Sequence, residues 1–282
     1  KKTGVYVDAT FGGGGHSKEI LRRLTNGKLY AFDKDKSSIG NNNIVDERFT
    51  LINADFKYIK QFLEEDEIYS IDGLLADLGV SSYQIDTAER GFSFRFDNYL
   101  DMRMNTDSEI DAFYILNTYT KEHIASILFD FGEISNSRKL ANAIVFNREK
   151  VPIRTTFDLK KILQNFSRPN KLNQLLAKVF QAIRIEVNQE MSSLKKLLQD
   201  IPDLLKKDGR LAVISYHSLE DRLVKNLIKT GNTDGYIEKD FYGNAKHNKI
   251  KAINKKVITV NNKERLANKR SRSARLRVGQ RV

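Results

Sequence analysis

Cysteine is absent from the 282 residues of the chain, so there is no disulfide, thiolate metal site or sulfur nucleophile. Chemistry that passes through a covalent cysteine adduct is excluded. The absence also fits a reducing compartment, the cytoplasm. No apolar run approaches the roughly 18 residues that a membrane helix needs, and the N-terminus lacks a charged-then-apolar signal pattern, so no membrane partner is expected. Four histidines, His16, His123, His217 and His247, show no His-x-x-x-His spacing, and no metal is expected either. A hydrolase's Gly-x-Ser-x-Gly is missing around Ser215-Tyr216-His217-Ser218. His217 therefore reads as a hydrogen-bonding or substrate-shaping residue. The chain starts at Lys1 without methionine and runs almost at once into a strand, from which we expect a leading segment ahead of it.

An apolar content of 40% over 282 residues is enough for one large domain or two modest ones. The net charge of +12 is uneven. Residues Lys246 to Val282 hold 13 Lys and Arg against the single acid Glu264, so the whole excess lies in the last 37 residues. A polyanion facing that end is the implied partner. A solvated basic tail is the plainer alternative, but Ala274-Arg275-Leu276-Arg277-Val278 alternates with a period of two, which places part of the charge on a strand with one buried face. Asn268 to Ser273, with arginines and serines interleaved, suits either phosphate contacts or a solvated turn.

The densest signal runs from Val5 to Ser17: a short apolar strand ending in Asp8, four glycines at Gly12 to Gly15, then a helix opening. Glycine lets backbone approach a ligand where a side chain would collide, and a helix start presents unpaired N–H groups with a partial positive charge. The next apolar run, Lys28 to Phe32, leads into Asp33, placed to accept from ribose hydroxyls. The glycines do not match the dinucleotide pattern Gly-x-Gly-x-x-Gly, since Ser17 or Lys18 falls at the sixth position, and no Lys-Ser or Lys-Thr closes a P-loop. S-adenosylmethionine (SAM) is the remaining common ligand of such a turn.

Arg48 to Asn53 and Ile71 to Leu78 are further strand candidates, the first followed by Asp55-Phe56, the second carrying Asp77. Strands alternating with helical stretches imply βαβ units and a parallel sheet. Ligands of such sheets lie at the carboxyl ends of the strands, so Gly12 to His16, Asp33, Asp55, Phe56 and Asp77 should meet around one crevice. An aromatic edge at Phe56 and the Asp55 carboxylate can hold adenine, although Phe56 is equally suited to a core. Asp77 can accept from an ammonium or a reacting amine, and Gln84 can reach the same crevice.

From Gly91 the spacing turns helical, over Ile110 to Asn117, Glu122 to Phe129, Lys139 to Phe146 and Phe157 to Phe166, with Thr120 and Ser137 as caps. This predicts a helical insertion. One long helical run, Leu172 to Leu198, leads back to the sheet, and Pro202 and Gly209 punctuate the approach to a strand at Arg210 to Tyr216. Leu219 to Ile228 reads as helix. Lys249 to Val260 and Ala274 to Val282 read as strands. The expected organisation is α/β, with residues 1–90 and 178–282 forming a discontinuous cofactor domain and 91–177 a helical insertion for substrate recognition.

VDATFGGGGHS, AFDKD, ADLGVSSYQID with ERGFSF, LDMRMN, ANAIV, FQAIRIEVNQE, ISYHSLEDR and RSRSARLRV follow one another along nearly the whole chain. In that order they resemble the bacterial SAM-dependent 16S rRNA cytosine-N(4) methyltransferases, the RsmH (MraW) family. The resemblance implies a Rossmann-like SAM-dependent methyltransferase sheet interrupted by a helical domain. It also implies methylation of a cytosine in the decoding centre of the small ribosomal subunit. The implied partner is small-subunit rRNA in an assembled or nearly assembled 30S particle, rather than DNA. Carried over by position, the SAM site comprises Gly14, Gly15, His16, Asp33, Phe56, Asp77 and Gln84. The family's leading His-x-Pro-Val-Leu motif is absent, and Tyr83 and Lys269 stand where prolines are frequent.

Methylation of cytosine carbon 5 usually needs a cysteine adduct, whereas the exocyclic amine needs none, so the missing cysteine favours the amine. That amine is a poor nucleophile, and an acceptor must pull on its N–H bond while the methyl sulfonium is held in line. Asp77 is the first candidate, with holding SAM as its alternative role. Pro-Pro-Tyr, the base-stacking motif of DNA amino-methyltransferases, is absent; Tyr83, Phe92, Phe94 and Tyr216 are the candidate aromatics for a splayed-out base. A noncatalytic rRNA-binding or ribosome assembly factor that retains the cofactor fold is the competing reading.

Overall fold

Strand β2 (Lys28–Phe32) is buried at every position but its first, the pattern of a parallel strand covered on both faces. In the computed structural model, which describes residues 1–243, 247–254 and 256–282, it lies inside an eight-stranded sheet. Lys246, at the head of the basic segment, and position 255, inside one strand candidate, fall outside the described residues. The chain divides into two compact units, residues 1–79 with 191–282, and residues 80–190. The expected domain borders, after residues 90 and 177, both fall within the second of these.

The first unit holds the sheet. Strands β1 (Val5–Asp8), β2, β3 (Phe49–Ile52), β4 (Ile71–Asp77) and β5 (Leu205–Ser215) are parallel and lie in the order β3-β2-β1-β4-β5. Short helices α1 (Gly15–Arg23), α2 (Lys36–Gly40) and α3 (Ile59–Glu65) make the early crossovers. The strand order reverses between β1 and β4, so connections leave in opposite directions there and a crevice opens beyond their carboxyl ends. This is the Rossmann-like α/β architecture. β8 (Arg275–Arg281) runs antiparallel to β5, and β6 (Ile250–Ala252) and β7 (Ile258–Thr259) pair with β8. Val7, Phe32, Ile59, Leu63, Leu74, Leu198, Leu211 and Val224 belong to its principal core.

The second unit is helical: α4 (Ser82–Asp86), α5 (Ala112–Thr118), α6 (Lys121–Asp130), α7 (Ser137–Arg148), α8 (Thr156–Leu163) and α9 (Leu172–Asn188). It closes its own core around Leu100, Met102, Leu116, Leu128, Leu140, Ile144, Val179 and Ile183. An independent core is what lets such a segment interrupt a sheet without weakening it.

Several boundaries differ from expectation. The run from Leu172 to Leu198 is two helices, because Gln189 takes a left-handed conformation (φ 50°) and closes α9 before α10 (Glu190–Leu204) starts. Pro202 lies in the last turns of α10 rather than beyond it. Gly209 lies inside β5, which starts at Leu205 and not at Arg210; a bulge between the Ile71–Leu205 and Gly73–Arg210 pairs absorbs the irregularity. Thr120 does cap α6, its side chain accepting from the His123 N–H, but Ser137 is a buried residue inside α7 and not its cap. Where one strand was expected over Lys249 to Val260, the described residues form the short β6 and β7.

Candidate active site

The carboxyl ends of four strands of the first unit, β1 to β4, carry the candidate residues. At the end of β1, Asp8 is fully buried and accepts from Ser17 Oγ (2.7 Å) and from the Thr10 N–H (3.2 Å). Burial pushes its carboxyl up, and the Ser17 bond opposes that. These bonds tie the glycine turn to the strand it leaves. Gly14, the N-cap of α1, has φ 74°, and a Cβ there would lie 2.8 Å from the Phe11 ring. Gly13 and Gly15 differ: a Cβ on either would meet no protein atom within 4 Å, so their backbone faces open space. An anionic or polar ligand can approach the start of α1 there.

Asp33 follows β2. Its Oδ2 accepts from the Gly12 N–H at 2.8 Å and its Oδ1 from the Asp35 N–H at 2.9 Å. Burial raises its carboxyl, opposed by those backbone bonds and by the Ser38 hydroxyl. A carboxylate has about four acceptor positions, so an Asp33 held this way keeps capacity for a ribose hydroxyl. Beyond β3, Asp55 caps the turn of Phe56–Tyr58 through the Lys57 N–H, and its Oδ2 accepts from Ser193 Oγ at 2.9 Å and faces Lys34 Nζ at 3.3 Å. The adenine contact expected of Asp55 thus falls on a carboxylate already engaged by the protein. What Asp55 does is anchor Phe56, which packs half-buried against the core.

At the end of β4, Asp77 is held on three sides. Its N–H donates to Thr10 Oγ1 (2.7 Å), its Oδ1 accepts from the Tyr216 hydroxyl (3.0 Å), and its Oδ2 lies 3.4 Å from His16 Nε2. The Asp77 hydrogen bond raises the His16 pKa above its ordinary value, against the effect of burial. Burial raises the Tyr216 phenol well above its usual range, and the Asp77 charge adds to it. His217 starts α11 (Ser218–Thr230): its Nδ1 accepts from the Glu220 N–H, and its Nε2 lies 3.1 Å from Glu220 Oε1. Its side chain is buried and serves the helix start.

The structure brings Gly14, Gly15, His16, Asp33, Phe56 and Asp77 to the same rim of the first unit. Gln84 lies in the second unit, buried, in a capping box with Ser81. Thr10, Ser17 and Ser193 escaped the sequence reading. Only Thr10 left a signal there, as a hydroxyl residue two positions after a strand-end acid. The basic end also divides. Arg277 forks onto Asp221 (2.7 and 3.0 Å) and Arg275 reaches the same carboxylate (3.3 Å), whereas Arg270 and Arg272 lie on an exposed turn.

A parallel sheet with this strand order, a glycine-lined helix start and carboxylates on successive strand ends define an α/β enzyme of the SAM-dependent methyltransferase class. The chain belongs to the MraW methylase family, whose model matches residues 1–282. It is 50% identical over 283 aligned positions to the ribosomal RNA small subunit methyltransferase H of Flavobacterium johnsoniae, spanning 100% of this chain and 93% of that protein. The protein of the same name from Phocaeicola vulgatus is 50% identical over 278 positions, 98% of this chain and 91% of that one. That from Amoebophilus asiaticus is 51% identical over 281 positions, 99% and 90% of the two chains.

Proposed function

We propose that the protein methylates the exocyclic 4-amino group of a cytosine in the decoding centre of small-subunit rRNA, in an assembled or nearly assembled 30S particle in the cytoplasm. It is a SAM-dependent small-subunit rRNA methyltransferase, in keeping with its family and with relatives about 50% identical over its full length. The observation that carries the chemistry is the Asp77 carboxylate, held between Tyr216 and His16 at the rim beside the glycine turn.

SAM supplies an electrophilic methyl sulfonium when bound. The glycine turn at Gly14 and Gly15, whose backbone is open at Gly15, receives its amino-acid end, Asp33 accepts from its ribose, and Phe56 lines the adenine. His16 and Asp77 stand at the reacting side; Gln84 is assigned from its place in the sequence after β4 and from the resemblance. Asp77 accepts the amino N–H of the target, which frees the nitrogen lone pair otherwise delocalised into the ring. Docking of the RNA rests on two surfaces. One is the basic turn with Arg270 and Arg272. The other is a groove of about 880 Å³ on the helical unit, where Lys121, Arg138 and Lys139 stand against the acids Glu122 and Asp130; its three cations are the phosphate contacts of the substrate recognition proposed for residues 91–177.

Incubation with tritiated SAM and small subunits from a strain lacking the enzyme tests the proposal. Label at the 4-amino group of a decoding-centre cytosine is the expected result. Salt-sensitive binding without label would refute it.

A further inference from the structure

Tyr216, directly after β5, has no task in the reaction outlined above, yet it is fixed at both ends. Its N–H donates to Glu220 Oε2 at 2.8 Å, and its hydroxyl donates to Asp77 Oδ1 at 3.0 Å. Its Cδ2 lies 3.5 Å from the place a Cβ on Gly79 would take, so the ring lies along the turn that leaves β4. A carboxylate that accepts a half-buried phenol on one oxygen is restrained about its Cβ–Cγ bond. The other oxygen, Oδ2, lies 3.4 Å from His16 Nε2 and keeps a second lone pair for a substrate N–H.

We infer that Tyr216 is a positioning residue for the methyl transfer and acts through Asp77: by clamping Oδ1 it leaves Oδ2, beside His16, as the oxygen that takes the amino proton. The inference rests on the assignment of Asp77 as the acceptor. In balance, a nitrogen–carbon bond forms as the sulfur–methyl bond breaks and its electron pair stays on sulfur. The amino N–H bond breaks, its electrons remain on nitrogen, and the proton goes to Oδ2 and then to water. His16 reports on the clamp. The groups facing its imidazole are Asp77 at the end of β4 and Asp8 at the end of β1, and both hold its pKa up. Tyr216 reaches it only through Asp77. A phenol on Oδ1 draws charge from the carboxylate, so losing the phenol strengthens the pull of Asp77 on the protonated imidazole.

The test compares Tyr216→Phe and 3-fluorotyrosine at position 216 with the wild type. The His16 titration midpoint is read by NMR in the protein without donor, and kcat and the donor KM on small subunits. Loss of the hydroxyl raises the His16 midpoint by roughly half a unit; the more acidic fluorophenol, a stronger donor, lowers it. Tyr216→Phe loses kcat by about 10- to 100-fold with the donor KM nearly unchanged. An unmoved His16 midpoint in both variants, or a KM that rises in step with the loss of kcat, would overturn the inference. Should Tyr216→Phe fail to fold, the fluorotyrosine protein decides by the direction of its His16 shift. A wild type that methylates nothing would instead sink the proposed function, and the NMR midpoints would still test the clamp.

Discussion

Gly12 donates its backbone N–H to Asp33 Oδ2 at 2.8 Å, so the glycine turn and the acid expected to hold the ribose form one hydrogen-bonded unit across β1 and β2. Either partner alone would be an ordinary loop residue. Joined, they fix the distance between the glycine turn and the end of β2.

Asp33→Ala removes the ribose acceptor and the brace on the turn together. SAM affinity should fall by roughly 100-fold or more, and Asp33→Asn, which keeps a carbonyl acceptor, should lose less. Isothermal titration calorimetry separates the two, and an unchanged affinity in the alanine variant would reject the assignment.

Gly14 and Gly15 should respond oppositely to alanine. At Gly14 the positive φ and the Phe11 ring 2.8 Å away make the change destabilising, by about 1–2 kcal/mol. At Gly15, the first residue of α1, alanine meets nothing and stability should hold or improve by up to ~1 kcal/mol. SAM affinity should nevertheless drop, because the methyl group enters the space left for the ligand. Thermal melts with and without SAM give both numbers.

Arginines of the basic end should divide into two classes. Neutralising Arg270 and Arg272 should lower the slope of RNA affinity against salt by about one for each phosphate no longer paired, and leave SAM affinity alone. Arg277→Ala should instead destabilise the fold, since it leaves the buried Asp221 without its forked partner. Equal salt slopes for wild type and the Arg270/Arg272 variant would show that this turn does not meet phosphate.

Acid stability should depend on Asp72. Burial alone would raise this carboxyl, but hydrogen bonds from Lys1 Nζ (2.8 Å) and Lys206 Nζ (3.0 Å) outweigh it and hold the pKa at about 2. A carboxyl depressed in the folded state stabilises fully above its unfolded value, and that stability is lost as pH falls through the folded value. Urea unfolding of the wild type should therefore lose about 1–2 kcal/mol between pH 5 and 2 that Asp72→Asn, with no charge to titrate, does not lose. Parallel pH profiles would contradict this.

Much of the candidate site was legible because it is local. Asp8, the glycines and His16 follow one strand within a dozen residues, and β2 with Asp33 shows its buried period and its end. Helix boundaries were less legible. Nothing in the residues around Gln189 announces a left-handed closure, since glycine or asparagine is the usual signal there, and the strand-like run after Gly209 concealed the bulge that starts β5 earlier.

What the amino-acid order determined by itself was the alternation of strands and helices, the polar residues at the strand ends, the charge of the last segment and the family. These depend on periodicity and on short spacings, which a single chain displays. Only the tertiary structure decided who holds whom: Tyr216 on Asp77 across 139 positions, Ser193 on Asp55 across 138, Arg277 on Asp221 across 56. Such partners are chosen by strand order and register in the sheet, and no local pattern carries that information.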